Sequence, residues 1–293
     1  MHNTSEHRNP ARRPGGSPAD ANIALHDQEF TQFRDMIYRI AGISMSPAKK
    51  QLVSSRLAKR LKHHGLASYG DYFRLITSAH GKAELQVAVD SLTTNETHFF
   101  REPKHFDFLR NRIIPARKAG RGLRIWSAAC SSGEEPYSIA MLLDELLGSE
   151  PWEIVASDIS THVLEKAGNG LFPITRVPEI PKHYLTRYCL KGVGEHDGTL
   201  LIEQSLRDRI RFMQHNLTET PAKLGEFDVI FLRNVMIYFD QETKCQVVSR
   251  LLPLLRPGGY FLVGHSESLN GVTDAVQLVM PAIYRKPEHR KPE

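Results

Sequence analysis

The sequence predicts an α/β protein in which a doubly wound, mostly parallel sheet follows a small all-helical domain and carries a small β insertion. Three observations lead there. Residues 123–141 run from apolar Leu123, Ile125 and Trp126 through a string of tiny residues, Ser127 to Gly133, into a helical pattern from Glu134. Downstream, short β-type runs alternate with helical ones, and residues 227–232 are apolar enough for a strand buried on both faces. Upstream, about 65 residues show helical spacing and no strand signal.

The 293 residues are 41% hydrophobic and 24% charged, a globular composition with room for two domains. No apolar run reaches the roughly 18 residues of a membrane span, and the N-terminus lacks the apolar core of a signal peptide. A cytoplasmic protein without membrane insertion is therefore expected. Cys130, Cys189 and Cys245 are scattered, without CxxC or His/Cys ligand spacing, so no metal is expected. The net charge of +5 is compatible with an acidic partner and does not call for nucleic acid.

Residues 1–22, rich in Pro, Gly, Arg and Asn, are expected to be a disordered tail. The helical domain is expected over residues 23–92. Phe30, Phe33, Ile37 and Ile40 mark its first helix, with Asp27 as cap and Gly42 as terminator. Ser46-Pro47 opens a second helix carrying Lys49, Lys50, Arg56, Lys59, Arg60 and Lys62 without an acid, which suggests a docking face for an acidic partner. Ser68 with Tyr69, Tyr72 and Ile76 marks a third helix, and Leu85, Val89 and Leu92 a fourth.

Residues 93–104 read as a polar linker that ends at Pro103, which starts a helix with apolar face Phe106, Leu109, Ile113 and Ile114. The sheet domain is expected over residues 105–287, with a C-terminal tail at 288–293. Within it, Leu190 and the run 199–202 flank the loop Gly192-Val193-Gly194-Glu195-His196-Asp197-Gly198, so a β-hairpin insertion is expected at about 182–209. Asp240 caps a helix bearing Val247, Val248 and Leu251, Pro253 interrupts it, and residues 278–285 supply one closing strand.

A strand, a turn of small residues and a helix form the geometry in which such sheets bind nucleotide-like ligands, because backbone amides then approach the ligand closely. Here Glu134 and Glu135 follow the single glycine. That acidic pair repels a pyrophosphate but suits a cationic ligand, which points to S-adenosylmethionine rather than NAD or ATP. Asp158, at the tip of the next strand and about 20 to 25 residues on, is placed to grip ribose hydroxyls or to cap the following helix. Asn216, Arg233 and Asn234 end later strands, where ligands of doubly wound sheets collect. No Gly-x-Ser-x-Gly elbow, HExxH or Walker loop is present, which leaves hydrolase and metalloenzyme readings without support.

Six motifs, TTNETHFFRE, IWSAACSSGEEPYSIA, SDIS, FLRNVMIYFD, LLRPGGY and GHSESL, resemble in order and spacing the chemotaxis receptor methyltransferases, the CheR family. The resemblance implies a Rossmann-like S-adenosylmethionine-dependent methyltransferase sheet with an inserted β-subdomain, preceded by a small all-α domain. It implies protein-glutamate O-methylation of chemoreceptor cytoplasmic domains, with S-adenosylhomocysteine as product. By motif position, Asn95, Thr97 and Arg101 would line the cofactor, and Glu134 or Glu135 would touch its methionine end. Asp158 would hold the ribose, Asn216 and Leu217 the adenine side, and Arg233 and Asn234 the floor. Arg101 and Tyr238 would face the transferred methyl group, while His98 and His265 stay outside the chemistry. The partner implied is a receptor helical bundle, with a receptor C-terminal tail as a possible ligand of the β-subdomain. A methyltransferase for another substrate and a non-catalytic receptor-binding adaptor remain the alternatives.

Overall fold

The computed structural model describes residues 23–117, 120–221 and 224–288. The tail expected over 1–22, and all of 288–293 except Glu288, lie outside them.

Four helices, α1 (Asp27–Ala41), α2 (Lys50–His64), α3 (Tyr69–Thr77) and α4 (Lys82–Leu92), form the N-terminal domain. Their apolar stripes meet in one core in which Phe33, Ile37, Val53, Leu57 and Tyr72 are fully buried. Gly42 closes α1 with φ of 69°. A Cβ there would come within 2.6 Å of Thr243, so the glycine also permits close approach of the sheet domain. Asp27 does not cap α1. His26 is the N-cap residue, its amide donates to Glu29 at 2.8 Å, and Asp27 instead pairs with Lys50 at 2.6 Å.

The linker leads into α5 (Pro103–Phe108), whose last turns widen into a π-helical stretch over Leu109–Ile113 before α6 (Ile114–Ala116). Then come β1 (Leu123–Ser127), α7 (Glu134–Leu147), β2 (Trp152–Asp158), α8 (Thr161–Asn169), β3 (Leu171–Pro173), α9 (Lys182–Tyr188), β4 (Cys189–Lys191), β5 (Thr199–Ile202), α10 (Gln204–Arg207) and β6 (Ile210–Gln214). The chain closes with β7 (Phe227–Leu232), α11 (Gln241–Leu251), β8 (Leu255–Val263), β9 (Gln277–Met280) and β10 (Ile283–Arg285).

The main sheet runs β6-β2-β1-β7-β8-β10-β9. Its first five strands are parallel, whereas β10 is antiparallel to both neighbours. Strand alternation divides the core: Ile125, Ile154, Val229 and Phe231 face one side, and Trp126, Val155, Ile230 and Leu232 the other. Two expectations need correction. The closing strand is a hairpin, β9 and β10, because Pro281 and Ala282 turn the chain midway. The insertion is a three-stranded sheet ordered β3-β5-β4, drawing a strand from well upstream of residue 182. Arg110 and Tyr184 both bond Glu145, and Tyr188 bonds Asp144, which fastens the insertion to α7.

The helical domain joins the sheet domain through an antiparallel bridge between Ile43 and Phe239, with the Ser44 amide donating to the Tyr238 carbonyl at 2.8 Å. Tyr38 bonds Asp240 at 2.7 Å, and the Asn216 amide donates to the Ile40 carbonyl at 2.7 Å.

The basic helix α2 is not the free cationic face that its sequence suggests. Arg60 makes two bonds to Glu84 of α4, at 2.7 and 2.6 Å, and Lys50 holds Asp27. Arg56 donates to the carbonyls of Leu92 and Thr93, each at 2.9 Å, and to the Thr94 hydroxyl at 3.0 Å. The compensating acids lie on neighbouring helices, invisible to i,i+4 reasoning. Lys49, Lys59 and Lys62 remain exposed.

Candidate functional site

The order of strands reverses between β1 and β7, and a cavity opens there at the carboxyl ends of the strands, under the helical domain. The loop after β1 is drawn tight by two amides: Ala128 donates to Phe231 and Cys130 to Ser157, both at 2.9 Å. Ser131 and Gly133 take positive φ, and a Cβ on Gly133 would sit 3.0 Å from that of Ala167. Small residues are therefore required on both counts.

Asp158 is buried at the end of β2, and it does not cap the following helix: Ser160 is the N-cap of α8, its hydroxyl accepting the Val163 amide. One Asp158 oxygen accepts the Ser131 amide at 2.9 Å and the other the Ser160 amide at 3.0 Å, and Asp158 lines the cavity. Burial pushes its carboxyl upward, and these amides oppose that shift.

The acidic pair separates. Glu135 lines the cavity, accepting Ser127 Oγ and pairing with Arg233 Nη1, both at 2.7 Å. Glu134 is not part of the wall. It is 1% exposed, bonds Ser132 at 2.6 Å and faces Arg176 at 3.9 Å, and burial raises its pKa. One helical position turns the side chain by about 100°, which sends the two adjacent acids in different directions. Of the two candidates for the cofactor's methionine end, Glu135 is the one that lines the cavity.

Arg233 is buried between two carboxylates, Glu135 and Glu102, the latter at 3.0 Å, and it also donates to the Arg101 carbonyl. Burial alone would raise the Glu102 carboxyl, but Arg233, the His265 amide and Asn234 bring it down to about 2. Glu102 and Asn234 both adopt left-handed backbone, with φ of 59° and 57°. Such strain in non-glycine residues persists only where the surroundings enforce it. Here Glu267 fixes the second turn by accepting the amides of Asn234 and Gly264 at 2.8 and 2.6 Å.

From the linker, Asn95, Thr97 and Arg101 reach the wall, and Ser131 Oγ donates to the Asn95 carbonyl at 2.8 Å. Arg101 Nη1 donates to the Glu96 carbonyl at 3.0 Å. Asn216, Leu217, Arg233, Asn234 and Tyr238 complete the set that sequence reasoning named. That reasoning missed Ala41 and Ile43 from the helical domain, and Ile159, His215 and Phe239 from the sheet domain. His98, set aside before, also lines the cavity. Ile43 and Ala41 carried no polar signal, and only the packing of two domains brings them here. Glu102 and Glu267, behind the floor, are the other functional omissions; each lies beside a named motif residue and was legible only as motif filler.

Three acidic residues (Glu96, Glu135, Asp158) and two arginines (Arg101, Arg233) line the cavity, with Glu135 and Arg233 paired. The lining carboxylates suit a ligand that carries positive charge and ribose hydroxyls. A Rossmann-like sheet ending in an antiparallel hairpin, with this cavity at its switch point, defines an S-adenosylmethionine-dependent methyltransferase.

Comparison with known proteins gives the family. Residues 28–93 match the CheR methyltransferase all-alpha domain and residues 95–284 the CheR methyltransferase SAM binding domain. "Chemotaxis protein methyltransferase 2" of Pseudomonas aeruginosa is 43% identical over 273 residues, 92% of this chain and 97% of that one. The "Chemotaxis protein methyltransferase" of Escherichia coli is 42% identical over 251 residues, 85% of this chain and 87% of that one. That of Borreliella burgdorferi is 36% identical over 276 residues, 90% and 96% of the two chains. The chain belongs to the CheR methyltransferase family, and S-adenosylmethionine is its cofactor.

Proposed function

We propose that this protein methylates specific glutamate side chains on the cytoplasmic domain of chemoreceptors, giving the methyl esters of sensory adaptation and S-adenosylhomocysteine. The observation that carries the reading is the placement of Arg101 and Tyr238 on the same cavity wall as Asp158 and Asn95, in a chain whose relatives are chemotaxis methyltransferases along both domains. Bound S-adenosylmethionine supplies an electrophilic methyl group.

A glutamate has a reference pKa of about 4.3, so it is already a carboxylate at neutral pH and needs no base. The protein's task is to position it and to exclude water. Arg101 orients the incoming carboxylate, and the Tyr238 hydroxyl donates to it without neutralising it. Asp158 accepts the ribose hydroxyls, Glu135 lies at the methionine end, and Asn216 and Leu217 flank the adenine. Arg233 and Asn234 form the floor. Ala41, Ile43 and Phe239 close the apolar side against solvent.

For docking, Lys49 just before α2 and Lys59 and Lys62 on it are the cations left to meet an acidic receptor bundle, and the small sheet is the element for a receptor tail. A substrate on the cytoplasmic side places the enzyme in the cytoplasm. Among the described residues no helix is long and apolar enough to cross a membrane.

Incubation with methyl-labelled S-adenosylmethionine and receptor cytoplasmic domains tests the proposal. Base-labile label on receptor glutamates supports it. Cofactor binding without receptor label would refute it in favour of another substrate or a non-catalytic adaptor.

A further inference from the structure

Behind the floor of the cavity, three side chains with metal-binding atoms converge. Glu102 is the N-cap residue of α5, and His105 lies three positions on, one turn away on the same side. His265 arrives from the turn after β8, its amide donating to Glu102 Oε1 at 3.1 Å. One ligand atom from each of the three lies within 4.8 Å of the others. His105 is 1% exposed, yet neither ring nitrogen has a hydrogen-bond partner among the described residues. Its Nδ1 lies 3.4 Å from Glu102 Oε2, near enough for ionic contact but outside hydrogen-bond geometry. A buried imidazole with both nitrogens idle is costly.

We propose that Glu102, His105 and His265 form a binding site for a divalent transition cation of the zinc class. Two imidazoles and a carboxylate are a three-residue donor set that borderline cations accept, with a fourth position for water. Hard cations such as magnesium favour oxygen donors and are disfavoured here. His265 is exposed, so it provides the entry path and the freedom to contract the triad onto an ion.

The site shares its carboxylate with the cofactor floor. Glu102 also holds Arg233 at 3.0 Å and Asn234 at 3.2 Å. An ion at Glu102 withdraws that oxygen from Arg233 and adds like charge beside it. Metal and cofactor therefore oppose one another, and the effect is reciprocal by linkage.

The test uses the full chain, titrated with zinc chloride by calorimetry and with cobalt(II) by visible absorption. The expected result is one zinc equivalent, with the absorption of four-coordinate cobalt, and at least tenfold weaker binding in His265→Asn, an exposed position that leaves the fold intact. Saturating zinc is expected to raise the S-adenosylhomocysteine Kd severalfold in the parent and not in His265→Asn. Absence of stoichiometric zinc binding, or binding undiminished in His265→Asn, overturns the site. Zinc that depends on His265 but leaves the Kd unmoved overturns the opposition to cofactor. The conservative His105→Gln, which keeps a polar group in the buried position, is expected to lose the cobalt spectrum as well.

Discussion

Arg101 hangs from the linker by one bond to the Glu96 carbonyl, with its backbone oxygen taken by Arg233. It contributes little to packing, so Arg101→Ala should lower receptor methylation about 100-fold or more, the cost of losing one preorganised donor. The melting temperature should shift by no more than about 3 °C. A variant that unfolds at ordinary temperature would assign Arg101 a structural role instead. Gly264 is the reverse case. A Cβ there would fall 2.5 Å from Asn234 Nδ2 and 2.9 Å from Glu267 Oε2. Gly264→Ala must push the Asn234 amide aside, at an overpacking cost of about 1–3 kcal/mol. Titration with S-adenosylhomocysteine should show a Kd raised about tenfold; an unchanged Kd would separate Asn234 from the cofactor. Residues at strand ends were legible in the sequence because position after an apolar run is a local signal. Glu134 against Glu135 was not, since the choice depends on the rotation of α7 relative to the sheet.

Among elements, the helical domain turns on the pairing of α2 with α4. Burial would raise the Glu84 carboxyl, but bonds from Arg60, Tyr72 and His64 bring it from 4.5 to about 2. A folded pKa below the unfolded one adds stability that is present above pH 4.5 and lost as pH falls toward 2. With solvent screening at this partly buried pair, the contribution is about 2 kcal/mol. Urea unfolding of the parent and Glu84→Gln should show a constant gap from neutral pH to about pH 5, narrowing below it. A gap independent of pH would remove the charge from the account. The helices themselves were readable from the sequence, because caps, breakers and apolar spacing are local: Ser68, Gly42 and Pro103 each mark the boundary that their chemistry predicts. What α2 does with its cations was not readable. Glu84 lies 24 residues from Arg60, and the Leu92 carbonyl 36 from Arg56. The β3 strand and the β9–β10 hairpin escaped for a similar reason, being three- and four-residue pieces defined by partners rather than by pattern.

At the scale of the whole molecule, the cofactor cavity belongs to neither domain alone. Ala41 and Ile43 roof it, and the Ser44 amide ties that roof to Tyr238. Binding of S-adenosylhomocysteine should therefore slow hydrogen exchange at Ser44 and at Tyr238–Phe239 together, read by mass spectrometry with and without ligand. Protection confined to the sheet domain would show that the roof takes no part in holding the ligand.

The bridge between Ile43 and Phe239 also has a consequence for synthesis. The helical domain leaves the ribosome first, and the strand that meets it is still unmade. At about 5–20 residues per second, roughly 10 to 40 seconds pass before Phe239 emerges. During that interval the roof is a nascent surface with no sheet beneath it.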